Sequence, residues 1–234
     1  MRDCIVFNGV SSLEIQEIRV NVVRIPEVIK RIHQAQQVWD EHHRESFDLA
    51  NFIASDDRIF LSNIKLKSLA SAIVQIGLYD RYLRWHSEPE FFVGDSTGDS
   101  PVLVATGQKL FSQLIGESPA LSVSRPSGVV RLADEPELSG IQLTQYLAYR
   151  RFEENKISVF QEVEVEGRDI QSLALQLIEE LDVRRFVNIG PGSQLFRSQP
   201  QFEMIDIQVL ESIDLDPMLN WFWPSLRAQG YITA

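Results

Sequence analysis

Three short apolar runs, Cys4–Phe7, Glu90–Val93 and Arg185–Asn188, each lead directly into a glycine-containing turn. They are separated by long stretches with helical periodicity. Runs of this length without polar alternation predict strands buried on both faces. Pro26 opens a helix reaching about residue 44, with Val28, Ile29, Ile32, Ala35, Gln36 and Trp39 as its inward stripe. A second helix is expected from about 63 to 85, carrying Ile64, Leu66, Leu69, Ile73, Ile76 and Leu83, and others at 107–116, 136–154 and 169–181. Further strands are expected at 157–165 and 205–209, and Val129-Val130 reads as a short strand inside a Ser/Pro/Gly-rich loop from 117 to 136. Residues 13–25 fit neither period for long. Helices alternating with buried strands predict an α/β fold, a mostly parallel sheet flanked by helices on both faces.

Composition narrows the class. With 234 residues, 44% of them hydrophobic, the chain is long enough for a sizeable core and is expected to form a single domain over 1–234. The net charge is −11, and the acid excess runs through both halves. No general nucleic-acid or anionic-membrane partner is therefore expected. Cys4, the single cysteine, excludes an internal disulfide and a multi-cysteine zinc site; no metal and no cofactor is expected. No apolar run approaches the ~18 residues of a membrane span. The N-terminal apolar stretch is short and preceded by Asp3, unlike a secretory signal, so a cytoplasmic location is expected.

The most informative segment is Gly94-Asp95-Ser96-Thr97-Gly98, a G-x-S-x-G pattern directly after a strand and before a helix. In such an elbow the serine sits on a tight turn, and the flanking glycines, Gly94 and Gly98, let neighbouring backbone pack closely around it. Ser96 is the candidate nucleophile. The Thr97 amide is expected to open the following helix and to point towards a developing oxyanion, helped by the helix dipole.

Phe92-Val93-Gly94-Asp95-Ser96-Thr97-Gly98-Asp99, followed by Val102-Leu103-Val104-Ala105-Thr106-Gly107, resembles the G-H-S-L-G-E segment of malonyl-CoA:acyl-carrier-protein acyltransferases. Val6-Phe7-Asn8-Gly9-Val10-Ser11-Ser12 is similar to that family's opening V-F-P-G-Q-G-S. Phe186-Val187-Asn188-Ile189-Gly190-Pro191-Gly192-Ser193-Gln194-Leu195 is similar to its closing E-I-G-P-G-x-x-L, with Gly190 and Gly192 as structural glycines. The resemblance covers residues 4–115 and resumes at about 157–197. It implies an acyltransferase (α/β-hydrolase-like) core, transfer of an acyl group from coenzyme A through Ser96 to a carrier protein, and a second oxyanion donor in the Val10 backbone amide.

The chain departs from that pattern where the chemistry is most demanding. A serine hydroxyl needs an adjacent base, and in the family a histidine after the nucleophile supplies it. His33, His42, His43 and His86 all precede Ser96. His86 stands at the far end of the strand that carries Ser96, more than ~15 Å away, and His42 and His43 fall near a helix end some ~25 Å from its start. His33 is expected on a solvated helix surface. The family histidine before the serine is Asp95 here, expected to turn outward and hydrogen-bond the turn. The arginine that clamps malonate should fall near Leu121; Arg125 is the nearest residue for that role, with Arg131 beyond it, both in the Ser/Pro/Gly loop. Only residues 116–156 stand where the family places a ferredoxin-like subdomain, which is expected to be lost or reduced to the 136–154 helix.

Other features have plainer readings. Glu162, Glu164 and Glu166 alternate with Val163 and Val165, the pattern of a solvated edge strand. Gly190-Pro191-Gly192 reads as a structural turn in preference to a phosphate cradle. Arg150-Arg151 and Arg184-Arg185 are expected to snorkel at helix ends. Trp221, Phe222 and Trp223, in an aromatic tail at 217–234, are expected to pin the C-terminus or to form a homo-oligomer contact. The reading that follows is a degenerate acyltransferase homologue, a binding or scaffolding component beside an acyl carrier protein or synthase in fatty-acid or polyketide biosynthesis. Its alternative is a Ser96-dependent acyltransferase or acyl-thioester hydrolase with an unorthodox base.

Overall fold

The structure is a computed structural model that describes residues 2–7, 13, 16–42, 47–95, 97–118, 146–154, 157–163, 170–190 and 203–206. In chain order the elements are β1 (Asp3–Phe7), α1 (Gln16–Val22), α2 (Pro26–His42), α3 (Leu49–Ala54), α4 (Asp57–Ser62), α5 (Ile64–Leu83) and β2 (Phe91–Asp95). They continue with α6 (Pro101–Ala105), α7 (Phe111–Gly116), β3 (Tyr146–Glu154), β4 (Ile157–Val163), α8 (Ile170–Glu179), β5 (Arg185–Ile189) and β6 (Glu203–Asp206).

The six strands form one mixed sheet in the order β4-β3-β2-β1-β5-β6. β1 lies at its centre, parallel to β2 on one side and β5 on the other, and β6 continues parallel beyond β5. β3 and β4 extend the opposite edge as antiparallel strands. The α/β class and the sheet flanked by helices are as the alternation requires.

Successive strand residues point to opposite faces, and two cores result. Ile5, Phe7, Phe92, Val187 and Ile189 face α2 and α5, whereas Cys4, Val6, Phe91, Val93 and Phe186 face Leu173, Ala174, Leu177 and Ile178 of α8. α5 is buried nearly all round, because it lies between the sheet and α2. Gly77 makes that crossing close: a Cβ there would stand 2.6 Å from the Val28 Cα. Two ion pairs tie the same helices, Arg31 to Asp80 and Arg81 to Glu27 at 3.1 Å.

Several expectations are corrected. Residues 146–154 are a strand, not the end of a helix. Leu147 and Tyr149 pack into one core while Tyr146 and Ala148 pack into the other, a period of two imposed by pairing with β2 and β4. The Arg-Arg-Phe-Glu-Glu sequence suits a helix, but tertiary pairing overrides that preference. The small subdomain therefore is not reduced to a 136–154 helix. The ambiguous stretch from 13 to 25 contains α1, α3 and α4 are two short helices without a sequence reading, and β6 begins two residues before its expected start.

Arg150 and Arg151 sit on β3 against Glu90 and Glu88, and Arg184 and Arg185 pair with Asp182 and Asp3. They do not snorkel from helix ends. Val129-Val130, Glu164, Glu166 and the tail carrying Trp221, Phe222 and Trp223 lie outside the described residues. Glu162 is exposed on β4, as its alternation requires.

Candidate functional site at the carboxyl end of β2

The parallel strands β1, β2, β5 and β6 all end along one edge of the sheet. From β1 the chain goes to β2 on one side and later to β5 on the other, so this edge contains the topological switch point where open α/β sheets form crevices. The G-x-S-x-G segment leaves β2 at that edge. Gly94 is the last residue but one of β2, and it is glycine for want of space: a Cβ would lie 2.7 Å from Val102 Cβ and 3.2 Å from Ser100 Oγ. α6 thus packs directly on the strand end.

The turn itself differs from the expected elbow in two respects. The helix does not begin at Thr97. A turn closed by the Ser100 amide on the Thr97 carbonyl (3.0 Å) intervenes, and α6 starts at Pro101, whose fixed φ and missing N–H suit a first helical position. Asp95 does hydrogen-bond the turn, but it faces inward and is only 6% exposed. Its Oδ1 accepts from the Thr97 amide at 3.0 Å and from the Thr97 hydroxyl. The amide expected to meet an oxyanion is already donated to a carboxyl group.

Asp99 and Ser100 are likewise buried inside the fold, at 5% and 1% exposure. Burial pushes the Asp95 carboxyl above the usual range, against the pull of the two Thr97 donors; the Ser100 hydroxyl lies beside it but makes no hydrogen bond of good geometry. Burial also raises Asp99, and neighbouring Asp95 adds to this, while the Ser118 hydroxyl and Lys109 oppose it. Tyr146, in register with Asp95 on β3, is raised by burial and then by that carboxyl. Asp99 stands at the acidic last position of the G-H-S-L-G-E-like segment, whereas Tyr146 carries no sequence signal.

The remaining candidates are scattered. Gly98 accepts from Lys109 Nζ at 3.3 Å. Gly190 closes β5 with φ of 103°, a conformation that favours glycine, and its added Cβ would press on Gln75. The buried Asn188 amide donates to the Gly190 carbonyl at 3.2 Å, which fixes this turn from within the strand. Ser96, Val10, Arg125 and Gly192 lie outside the described residues, as does His43.

Of the other histidines, His33 and His42 are exposed on α2, and His42 Nδ1 meets the Val38 carbonyl one turn back at 2.9 Å. His86 stacks on Tyr82 before β2, with Nδ1 3.1 Å from the Tyr82 carbonyl, at the amino end of the strand that bears the turn at its other end. Among the described residues no group of three or more His, Cys, Asp or Glu side chains could hold a metal ion, and no helix is long and apolar enough to cross a membrane.

No protein-family model matches the chain, and no curated protein does. Among solved structures, the malonyl-CoA:ACP transacylase of Synechocystis sp. PCC 6803 matches with a TM-score of 0.55 at 14% sequence identity, covering 92% of this chain and 100% of that one. At that identity the likeness shows the fold, an acyltransferase-like α/β architecture.

Proposed function

We propose that this chain is an acyltransferase-fold protein without efficient transacylase activity, acting as a binding or scaffolding component in fatty-acid or polyketide biosynthesis. An acyl carrier protein or a synthase component is the partner this reading implies, by analogy with the carrier that the structural neighbour's name includes. One observation carries the reading: the Asp95 carboxyl occupies the Thr97 amide, the donor that would have to stabilise charge on a thioester oxygen. In its ionised form that carboxyl would also repel the oxyanion. At ~4 Å and an effective dielectric of ~20 the cost is about 4 kcal/mol, roughly three orders of magnitude in rate. Protonation would remove the repulsion but would leave the amide engaged. The histidines add weight, because the one that follows the nucleophile in the resembled family has no counterpart here: His33, His42, His43 and His86 all precede residue 96.

The test is incubation of the full chain with malonyl-CoA followed by intact-mass measurement. No stoichiometric acyl adduct is expected. An adduct that forms within seconds and disappears in S96A would overturn the proposal.

The alternative, a Ser96-dependent acyltransferase or acyl-thioester hydrolase, draws on the tight Gly94–Val102 packing, which keeps the strand–turn–helix frame such chemistry uses. It fails if thioester turnover is the same in S96A as in the wild type.

A further inference from the structure

β4 is the outermost strand on the side of the sheet away from β6, and Ser158 and Glu162 are exposed on it. Its hydrogen bonding follows from its neighbours. The Arg151 amide donates to the Glu90 carbonyl at 2.8 Å, so the Arg151 backbone faces away from β4. Its register partner Phe160 therefore turns its own N–H and C=O outward, away from β3. Alternation points the backbone groups of Ser158 and Glu162 the same way. Such a row is a template for a further strand, and among the described residues no backbone group meets it.

One side chain does. Gln108, exposed in the turn between α6 and α7, donates from Nε2 to the Phe160 carbonyl at 3.1 Å. Val102 of α6 and Leu114 and Ile115 of α7 belong to the core on the α5 side, so Gln108 reaches the edge from that side. Its amide nitrogen stands where the N–H of an added strand would stand, about 3 Å from the same oxygen. Phe160 is the middle one of the three outward residues of β4, so this contact blocks the edge at its centre.

The edge is complementary to itself. When two copies are aligned antiparallel about Phe160, outward groups meet outward groups. Ser158 then stands opposite Glu162 of the second copy, a hydroxyl against a carboxylate, and the two glutamates do not face each other. On the α8 side Ile157, 65% exposed, meets Val163 of the second copy. The charges agree with this alignment, because Lys156 and Glu164 lie four residues to either side of Phe160 in the sequence.

We infer that β4 is a self-pairing edge kept closed by Gln108. Removing this side chain frees the Phe160 carbonyl, and two copies of the chain then join β4 to β4, antiparallel about Phe160, in one continuous sheet. The inference goes beyond the proposed function and is independent of any chemistry at residue 96.

Sedimentation equilibrium of the full chain, wild type against Q108A, over a dilution series up to about 0.5 mM tests it. Gln108 is exposed, so its truncation leaves both cores intact. Q108A is expected to reach twice the wild-type mass at the top of the series, with hydrogen exchange slowed at the amides of Ser158, Phe160 and Glu162. Adding S158P, which withdraws an outward N–H without touching the β3 pairing, should return the mass to that of the wild type. Equal masses for wild type and Q108A, or a gain that S158P leaves in place, would overturn the inference.

Discussion

Arg19 shows how much structure one side chain can organise. Its guanidinium is fully buried, stacks over the Phe60 ring at 4.2 Å, and donates to the carbonyls of Leu13, Ile53 and Ser55 and to Asp57 Oδ1. It therefore pins the chain beyond β1 to the α3–α4 turn, with the delocalised charge spread over at least these four acceptors. Replacing it leaves those carbonyls without a donor and opens a cavity beside Phe60. R19A is expected to lose roughly 3–5 kcal/mol in urea unfolding. D57A should lose about 1 kcal/mol or less, because the Asp57 side chain is 55% exposed and the three carbonyls remain. Equal losses would show that the carboxylate, not the carbonyl cage, carries the charge. An isolated arginine at position 19 has no such signal in the sequence, since its acceptors come from residues 34 to 38 positions downstream as well as from Leu13.

The contact between β2 and α6 sets the shape of the candidate site. The Gly94 reading was available from the pattern alone: a glycine two residues before the turn serine permits a close approach, and the structure fills that space with Val102. G94A is expected to cost about 1–3 kcal/mol through overpacking, measured as a shift of the denaturation midpoint. V102A should recover part of it by vacating the contact. An undiminished midpoint in G94A would mean that α6 moves freely and that the turn is not held by it. The 146–154 segment illustrates the opposite case. Its local preference suggests a helix, while the hydrogen bonds of β2 and β4 on its two sides make it a strand, a decision that lies in residues 50 positions and more away on one side. The start of α6 at Pro101 follows a local rule, but the inward turn of Asp95 does not: it depends on the depth at which the neighbouring elements bury the turn.

Across the whole molecule, ionisable groups oppose one another in the pH dependence of stability. Burial alone would raise Glu27, but hydrogen bonds from Arg84, its own backbone and Arg81 outweigh that and hold its carboxyl below the usual range. A lowered carboxyl contributes stability above its unfolded value of ~4.3, which is lost as pH falls through the folded value. Asp95 and Asp99 act in the other direction and weaken the fold as pH rises. Stability is therefore expected to pass through a maximum on the acidic side of neutrality. E27Q should be less stable than the wild type near that maximum, and the gap should narrow as pH falls through the lowered Glu27 value; a gap independent of pH would mean that Glu27 acts by packing alone. The same scale governs the functional reading. An acyltransferase-like architecture is shared with a transacylase at 14% identity, and activity at the switch-point edge depends on a few side chains that such a likeness does not carry over.

From the sequence alone came the α/β class, the central buried strands, the long helices over α2 and α5 and the strand–turn–helix around position 96, because periodicity, glycine spacing and proline placement act over a few residues. The sheet order, the strand character of 146–154, the buried cage of Arg19 and the capture of the Thr97 amide by Asp95 were decided only in three dimensions. Each depends on which distant segments share a surface and on how completely they exclude water. A carboxyl group reads the same in any sequence; its charge is set by the depth at which the fold buries it.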